Sequence, residues 1–226
     1  MSRFSRILKI LIITFACIGV FLFLETIAFS SGGIPTLQEY LNKVKNAPKP
    51  QNTIVVEAIN YTSSENASLK KVAEFKGLND VLLWEKEGGW IEWKVHIPED
   101  GLYNMALLYY TLPGKGLGVE LSVLIDGKLP YKEAQKITFP RVWKDVTGIR
   151  KDKKGNDLRP KCEEAPRWQK MDFIDTEGFY NKALPFYFTK GEHKIRLVSI
   201  REPVALKQLI IYNPEMPPTY NEYINI

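Results

Sequence analysis

The sequence predicts an all-β protein, a jelly-roll β-sandwich, and three observations carry that expectation. From Thr53 onward apolar and polar residues alternate with period two. The alternating segments are short and are punctuated by Gly, Pro and Asn, and no helical pattern intervenes between them. Many short strands at regular spacing are the signature of a sandwich or jelly roll. Ahead of this body stand an N-terminal hydrophobic signal or anchor helix and a short amphipathic helix. The expected layout is a signal or anchor over residues 1–30, a helix and Pro-containing linker over 31–52, the sandwich over 53–213 and a tail over 214–226.

The first segment begins with Arg3, Arg6 and Lys9, and the apolar run Ile10 to Leu24 follows. Ala28 and Ser30 then supply a small-x-small site. A basic start, a short apolar run and such a site describe an export signal. A membrane span needs about 20 residues, so an uncleaved anchor would have to extend past Glu25. Either outcome places the remainder outside the cytoplasm, secreted or anchored to the cell membrane. Cleavage would leave 28 basic and 25 acidic residues, a net charge of +3, too small to point to a nucleic-acid partner. Cys162 would be the only remaining cysteine, so packing rather than a disulfide must hold the fold.

In "TLQEYLNKVKNA", Leu37, Tyr40, Leu41 and Val44 fall at helical spacing, with Thr36 as N-cap. "PKPQN" ends that helix, because residues before proline are driven toward extended geometry, and it reads as a spacer. "TIVVEAINY" is the first strand. In "GGWIEWKVHIP", Ile91, Trp93, Val95 and Ile97 take one face and Glu92, Lys94 and His96 the other, the pattern of a half-buried antiparallel strand. After the "PEDG" turn, "LYNMALLYY" sets Tyr103, Met105, Leu107 and Tyr109 along one sheet face. "VELSVLIDGKL" contains the hairpin pair Asp126-Gly127. "WQKMDFID", "LPFYFT", "GEHKIRLVSI" and "VALKQLIIYN" bring the expected total to about nine strands. Phe139 to Lys170 is a long polar insertion, with "KKGND" as a small hairpin tip.

Catalytic patterns are absent. There is no G-x-S-x-G elbow, and "GKGLG" at Gly114 to Gly118 lacks the spacing of a phosphate loop, so it reads as a flexible turn. Two histidines and one mature cysteine make a poor zinc set; His193 reads as structural and His96 as solvated. Glu163 and Glu164, adjacent on a polar insertion, read as solvated acids. The basic run from Arg150 to Lys161 is interleaved with Asp152 and Asp157 and carries no aromatic residue, unlike a single-stranded nucleic-acid groove. No enzyme activity is expected. A glycan-cleaving enzyme would need two facing carboxylates, whose separation a sequence does not show.

Rings remain. Trp93 belongs to the core face of its strand. Trp84, in "LLWEKEGG", Trp143 and Trp168, near the two ends of the insertion, and Tyr180, in "EGFYNKA", all read as loop-borne. Such rings present a flat face at low entropic cost, and the weakly positive axial C–H groups of a sugar stack on them. These four are the candidate ligand-binding residues. The competing reading has each of them capping the core.

"VEAINYTSS", "GGWIEWKVHIPEDGLYNMALLYY", "VELSVLIDGK", "WQKMDF" and "FTKGEHKIRL" with "LKQLIIYNP" follow one another in order. Together they resemble the carbohydrate-binding modules of the family 6 and family 35 type, within the galactose-binding-like group, over roughly residues 53–213. "YLNKVKNAPKPQNTIVVEA" and "RPKCEEAPRWQ" are similar to the N-terminal segments of large extracellular solute-binding proteins of sugar ABC importers. The resemblance implies a non-catalytic carbohydrate binder with an oligo- or polysaccharide as partner, and beside it a solute-binding domain or an ABC importer. Trp84 and Trp168 are the nearest matches to the family's two ligand rings. The family's calcium is held partly by both Glu of E-A-E and a late Asp. Here Glu57 matches the first, Ile59 stands at the second, and Lys207 and Gln208 fall near the Asp. Calcium takes six or more oxygens, so no cofactor is expected. The family's ligand Asn has no match around Val204 to Leu206. The alternative function is a structural or protein-interaction sandwich that binds no sugar.

Overall fold

The computed structural model describes residues 33–213. The expected signal or anchor segment and the C-terminal tail lie outside the described residues. Among the described residues no helix is long and apolar enough to cross a membrane.

Two antiparallel sheets face each other across one apolar core. The first is built around β6 (Gly101–Thr111), the longest strand together with β15 (Gly191–Arg201). On one side of β6 lie β13 (Gln169–Asp172) and β14 (Pro185–Phe188), end to end along the same edge. On its other side follow β16 (Val204–Tyr212), β4 (Leu78–Trp84) and β3 (Leu69–Phe75). β1 (Ile54–Glu57) takes the half of β16 that β4 leaves unpaired, opposite residues 208–211. The second sheet runs β2 (Ser63–Glu65), β5 (Trp90–Ile97), β15, β7 (Val119–Ile125) and β8 (Ile137–Phe139). Successive strands from β4 to β7, and again from β14 to β16, cross from one sheet to the other, which is jelly-roll winding.

The period-two reading holds where it was strongest. Ile91, Trp93, Val95 and Ile97 are buried, and so are Tyr103, Met105, Leu107 and Tyr109. A fully buried side chain of this size contributes about 2–3 kcal/mol, so these two rows anchor the sandwich. Asp126 and Gly127 both take positive φ (50° and 76°), closing the hairpin after β7.

Three strands escaped the pattern. β2, β3 and β4 occupy "SSE", "LKKVAEF" and "LNDVLLW". In β3 the partly buried residues Leu69, Val72 and Phe75 are three apart, a spacing that hides a strand: Leu69 packs on the main core, Val72 and Phe75 on a second apolar cluster outside the first sheet. The turn between β3 and β4 uses Lys76 and Gly77, both at positive φ, and Lys-Gly is a weaker hairpin signal than Asn-Gly.

The helix forms as expected. α1 (Leu37–Lys43) is capped by Thr36, whose hydroxyl accepts from the Glu39 amide while the Glu39 carboxylate accepts from the Thr36 amide. The segment does not stand apart as a spacer. Leu37 is buried in the core, Tyr40 meets Tyr131 at 5.0 Å, and the Tyr187 amide donates to the Tyr40 hydroxyl. Pro48 accepts from the Leu102 amide, and the Pro50 ring is packed so closely on Gly101 that a Cβ there would collide with it. Helix and prolines together form a strap across the sandwich.

The insertion is a β-ribbon arm. β9 (Trp143–Asp145) pairs with β12 (Cys162–Glu164), and β10 (Arg150–Lys151) pairs with β11 (Asp157–Leu158). "KKGND" is its tip, where the Asp152 carboxylate accepts from the Lys154 and Asn156 amides.

Candidate functional site

One end of the sandwich gathers the β6–β7 loop, the roots of the arm and the β15–β16 turn around a single guanidinium. Arg141 is buried although it is fully charged. Its Nη2 lies 2.6 Å from Glu202 Oε2, its Nη1 2.5 Å from Glu164 Oε1, and its Nε donates to the Leu117 carbonyl at 2.6 Å. Glu202, equally buried, accepts from the Lys115 amide at 2.9 Å. It sits at φ 66°, in the left-handed region that a non-glycine residue rarely occupies. Gly114 is required here, because a Cβ would strike the Glu202 carboxylate. "GKGLG" is therefore a tethered loop rather than a flexible turn. Outside it, the Lys115 ammonium lies 2.8 Å from Glu87, whose carboxylate it holds below the usual range.

Trp143 stands on this base. It opens β9, directly opposite Glu164 on β12, with the far edge of its indole beside Gly116. The ring is 51% exposed. Its root is stiff, because the neighbouring Arg141 and the cross-strand Glu164 are joined to each other. A rigid, half-exposed indole is a surface on which a flat, partly apolar ring can stack.

The other three rings are placed differently. Trp84 does not lie on a loop: it ends β4, is 1% exposed, and donates its indole N–H to the Gly88 carbonyl. It is a core residue, and the correction follows from the missed strand, which turns its side chain inward. Trp168 is half-buried on the outer face of the first sheet, in a trio with Phe75 (6.3 Å) and Tyr110 (5.6 Å), and its N–H donates to the Lys76 carbonyl. It fastens the tip of the β3–β4 hairpin to the sheet. Tyr180 is half-buried against the main core, while its neighbour Phe179 is 92% exposed. The structure does not bring the four rings to one place.

The charges that sequence reading singled out also resolve. His193 is structural: it bonds to Asp126 and to the Thr189 carbonyl. His96 is exposed beside Glu192. Glu163 is solvated, but Glu164 is not a plain surface acid, since Arg141 and the Thr111 hydroxyl both hold it. Arg141 and Glu202 had no signal in "FPRVW" and "REPV", because burial of a charge depends on which partner the fold delivers.

The calcium position does not fit a metal. The Lys207 ammonium lies 2.6 Å from Glu57 Oε2, and Gln208 donates to Glu57 Oε1 at 2.6 Å. Burial would raise the Glu57 carboxyl, but these two donors outweigh it and hold the group below its ordinary value. Lys207 instead sets a cation of the chain itself against this carboxylate. Among the described residues no cluster of three or more His, Cys, Asp or Glu is arranged to hold a metal.

No protein-family model matches this sequence, and no curated protein matches it. Solved structures do. A family 35 carbohydrate-binding module from Clostridium thermocellum is 16% identical, with a TM-score of 0.40, over 72% of this chain and 99% of that one. Modules of families 35 and 6 are among its structural neighbours. The module CBM6cm-2 from Cellvibrio mixtus lichenase 5A, in complex with cellotriose, is 10% identical, with a TM-score of 0.39, over 72% of this chain and 98% of that one. The Podospora anserina GH26-CBM35 β-(1,4)-mannanase is 8% identical, with a TM-score of 0.47, over 75% of this chain, which spans only 29% of the mannanase.

Proposed function

We propose that this protein is a non-catalytic carbohydrate-binding module, held outside the cytoplasm and serving an ABC-type sugar uptake system. The observation that carries the saccharide reading is the Trp143 indole, half-exposed on a base stiffened by the buried Arg141, Glu164 and Glu202. A pyranose would lay its C–H face on that ring. The exposed Lys115 and Glu87 beside the same loop, one donor and one acceptor, would meet its hydroxyls. Placement outside the cytoplasm is supported by the basic start and apolar run of residues 1–30, and the uptake role by the resemblance to importer-associated solute-binding proteins.

The test is a glycan-panel titration of the full chain followed by tryptophan fluorescence. Saturable quenching that disappears in Trp143→Ala supports the module. A flat response across plant, microbial and host glycans sinks it, and release of reducing sugar would show an enzyme instead. Fractionation of cells expressing the full chain tests its location.

A second reading, a structural or interaction domain without a sugar, is favoured by one observation. Trp84 and Trp168 serve internal packing, which leaves Trp143 without either of the ring partners that the family resemblance implies.

A further inference from the structure

Phe179 is the most exposed large hydrophobic side chain among the described residues, at 92%, yet the loop that carries it is firmly built. Asp175, itself buried, accepts from the amides of Glu177 (3.0 Å), Phe179 (2.7 Å) and Tyr180 (3.0 Å). The Thr176 hydroxyl stitches the loop to the edge of β8, accepting from the Thr138 amide and donating to the Lys136 carbonyl, both at 3.1 Å. The Lys136 ammonium reaches Glu177 at 3.0 Å from the same strand end. A loop so constrained presents its phenyl ring to water by construction.

The ring overlooks a cleft of about 500 Å³ between this loop and the 3₁₀ turn Lys132–Gln135. Small-molecule sites commonly fall between roughly 300 and 1,000 Å³. Ile200 lines the cleft and is 43% exposed. It lies at the point where the pairing of β15 with β7 slips between Ser199 and Arg201. A bulge of this kind re-aims a side chain, and here it adds an aliphatic surface to the cleft.

We propose that this cleft is a second saccharide site that takes a short uncharged oligosaccharide, with Phe179 as the stacking platform. The proposal rests on the carbohydrate-binding reading of the protein and places a second site on the loop of Tyr180, with Phe179 rather than Tyr180 as its ring. Three features select the ligand class. The rim joins donors (Lys132, Gln135, Lys136) to acceptors (Glu133, Glu177), which suits hydroxyls that both give and accept hydrogen bonds. Its lining sets two lysines against two glutamates and the buried Asp175, a net charge of −1, so it offers no net attraction to a phosphate or a uronate. Peptide capture by strand addition needs an open edge, and at β8 the Thr176 hydroxyl already occupies the Thr138 amide and the Lys136 carbonyl. An uncharged ligand with an apolar face and a polar rim remains.

The experiment is calorimetric and NMR titration of the full chain with neutral gluco-, manno- and xylo-oligosaccharides and with oligogalacturonate. Wild type, Phe179→Ala, Phe179→Tyr and Trp143→Ala are compared. The side chain at 179 is solvent-exposed, so these variants keep the fold. The expected result is a neutral-sugar event that shifts the amides of residues 176–180, weakens about tenfold or more in Phe179→Ala, survives in Phe179→Tyr and persists in Trp143→Ala. If Trp143→Ala abolishes all binding while Phe179→Ala matches wild type, the cleft proposal falls and the Trp143 site stands. Binding lost only in Phe179→Ala leaves the cleft and removes Trp143. Preference for oligogalacturonate at residues 176–180 overturns the uncharged class, and no binding of any sugar overturns both sites.

Discussion

The Arg141 guanidinium lies 2.6 Å from the Glu202 carboxylate, and both side chains are closed off from solvent. Removing one member of a buried pair strands the other, at about 3–5 kcal/mol. Arg141→Leu leaves Glu202 without its cation and releases the loop from Gly114 to Gly118. In a domain of this size the expected loss is roughly 10 °C of melting temperature. A thermal melt unchanged by the substitution would show that the pair does not hold this end together.

Trp143→Ala separates binding from stability. The indole is half-exposed, so the change in unfolding free energy should stay within about 0.5 kcal/mol. Saccharide association at this ring should fall about tenfold or more. Denaturant unfolding beside a glycan titration reads both numbers.

Trp168→Ala should do the reverse. Its ring locks against Phe75 and Tyr110, and its N–H holds the Lys76 carbonyl. The expected cost is about 2 kcal/mol, below that of a fully buried aromatic because the site is half-exposed. Hydrogen exchange should speed up at the β3–β4 turn, and sugar affinity at Trp143 should stay unchanged. Loss of saccharide binding without loss of stability would instead make Trp168 a ligand ring.

Lys207→Met probes the cation beside Glu57. The folded-state carboxyl lies below its ordinary 4.5. A depressed carboxylate stabilises the fold above its unfolded value, and that contribution is lost as pH falls through the folded value. The variant should therefore melt below wild type near pH 7, and the gap should close as pH drops below about 4.5. A gap that widens with acidification would reverse the assignment. Added calcium should leave the wild-type melting temperature unmoved, because Lys207 and Gln208 already engage the carboxylate.

Legibility followed periodicity. Strand β5 could be read because each inward side chain faces one core while the outward Lys94 and His96 face water; only Glu92, covered by Arg196, departs from the pattern. Strand β4 could not: Val81 and Leu83 are as buried as Leu82 and Trp84, because the tip of the β3–β4 hairpin and Trp168 cover its outer face. With both faces covered, alternation vanishes, and Trp84 looked like a loop residue. Phe179 was passed over for Tyr180, its neighbour in "EGFYNKA". A tyrosine offers the better ligand chemistry on paper, but the three amide bonds to Asp175 decide which of the two rings faces water.

The sequence alone determined the alternating strands of an all-β body, the capped helix, the hairpin at Asp126-Gly127 and the turn at the tip of the arm, because each is written in residues close together in the chain. Tertiary structure alone decided which rings are exposed, that Arg141 finds two carboxylates, and that Lys207 meets Glu57. Burial and pairing of side chains are set by contacts between segments 20 to 150 residues apart. Those contacts come into being only when the two sheets close on each other.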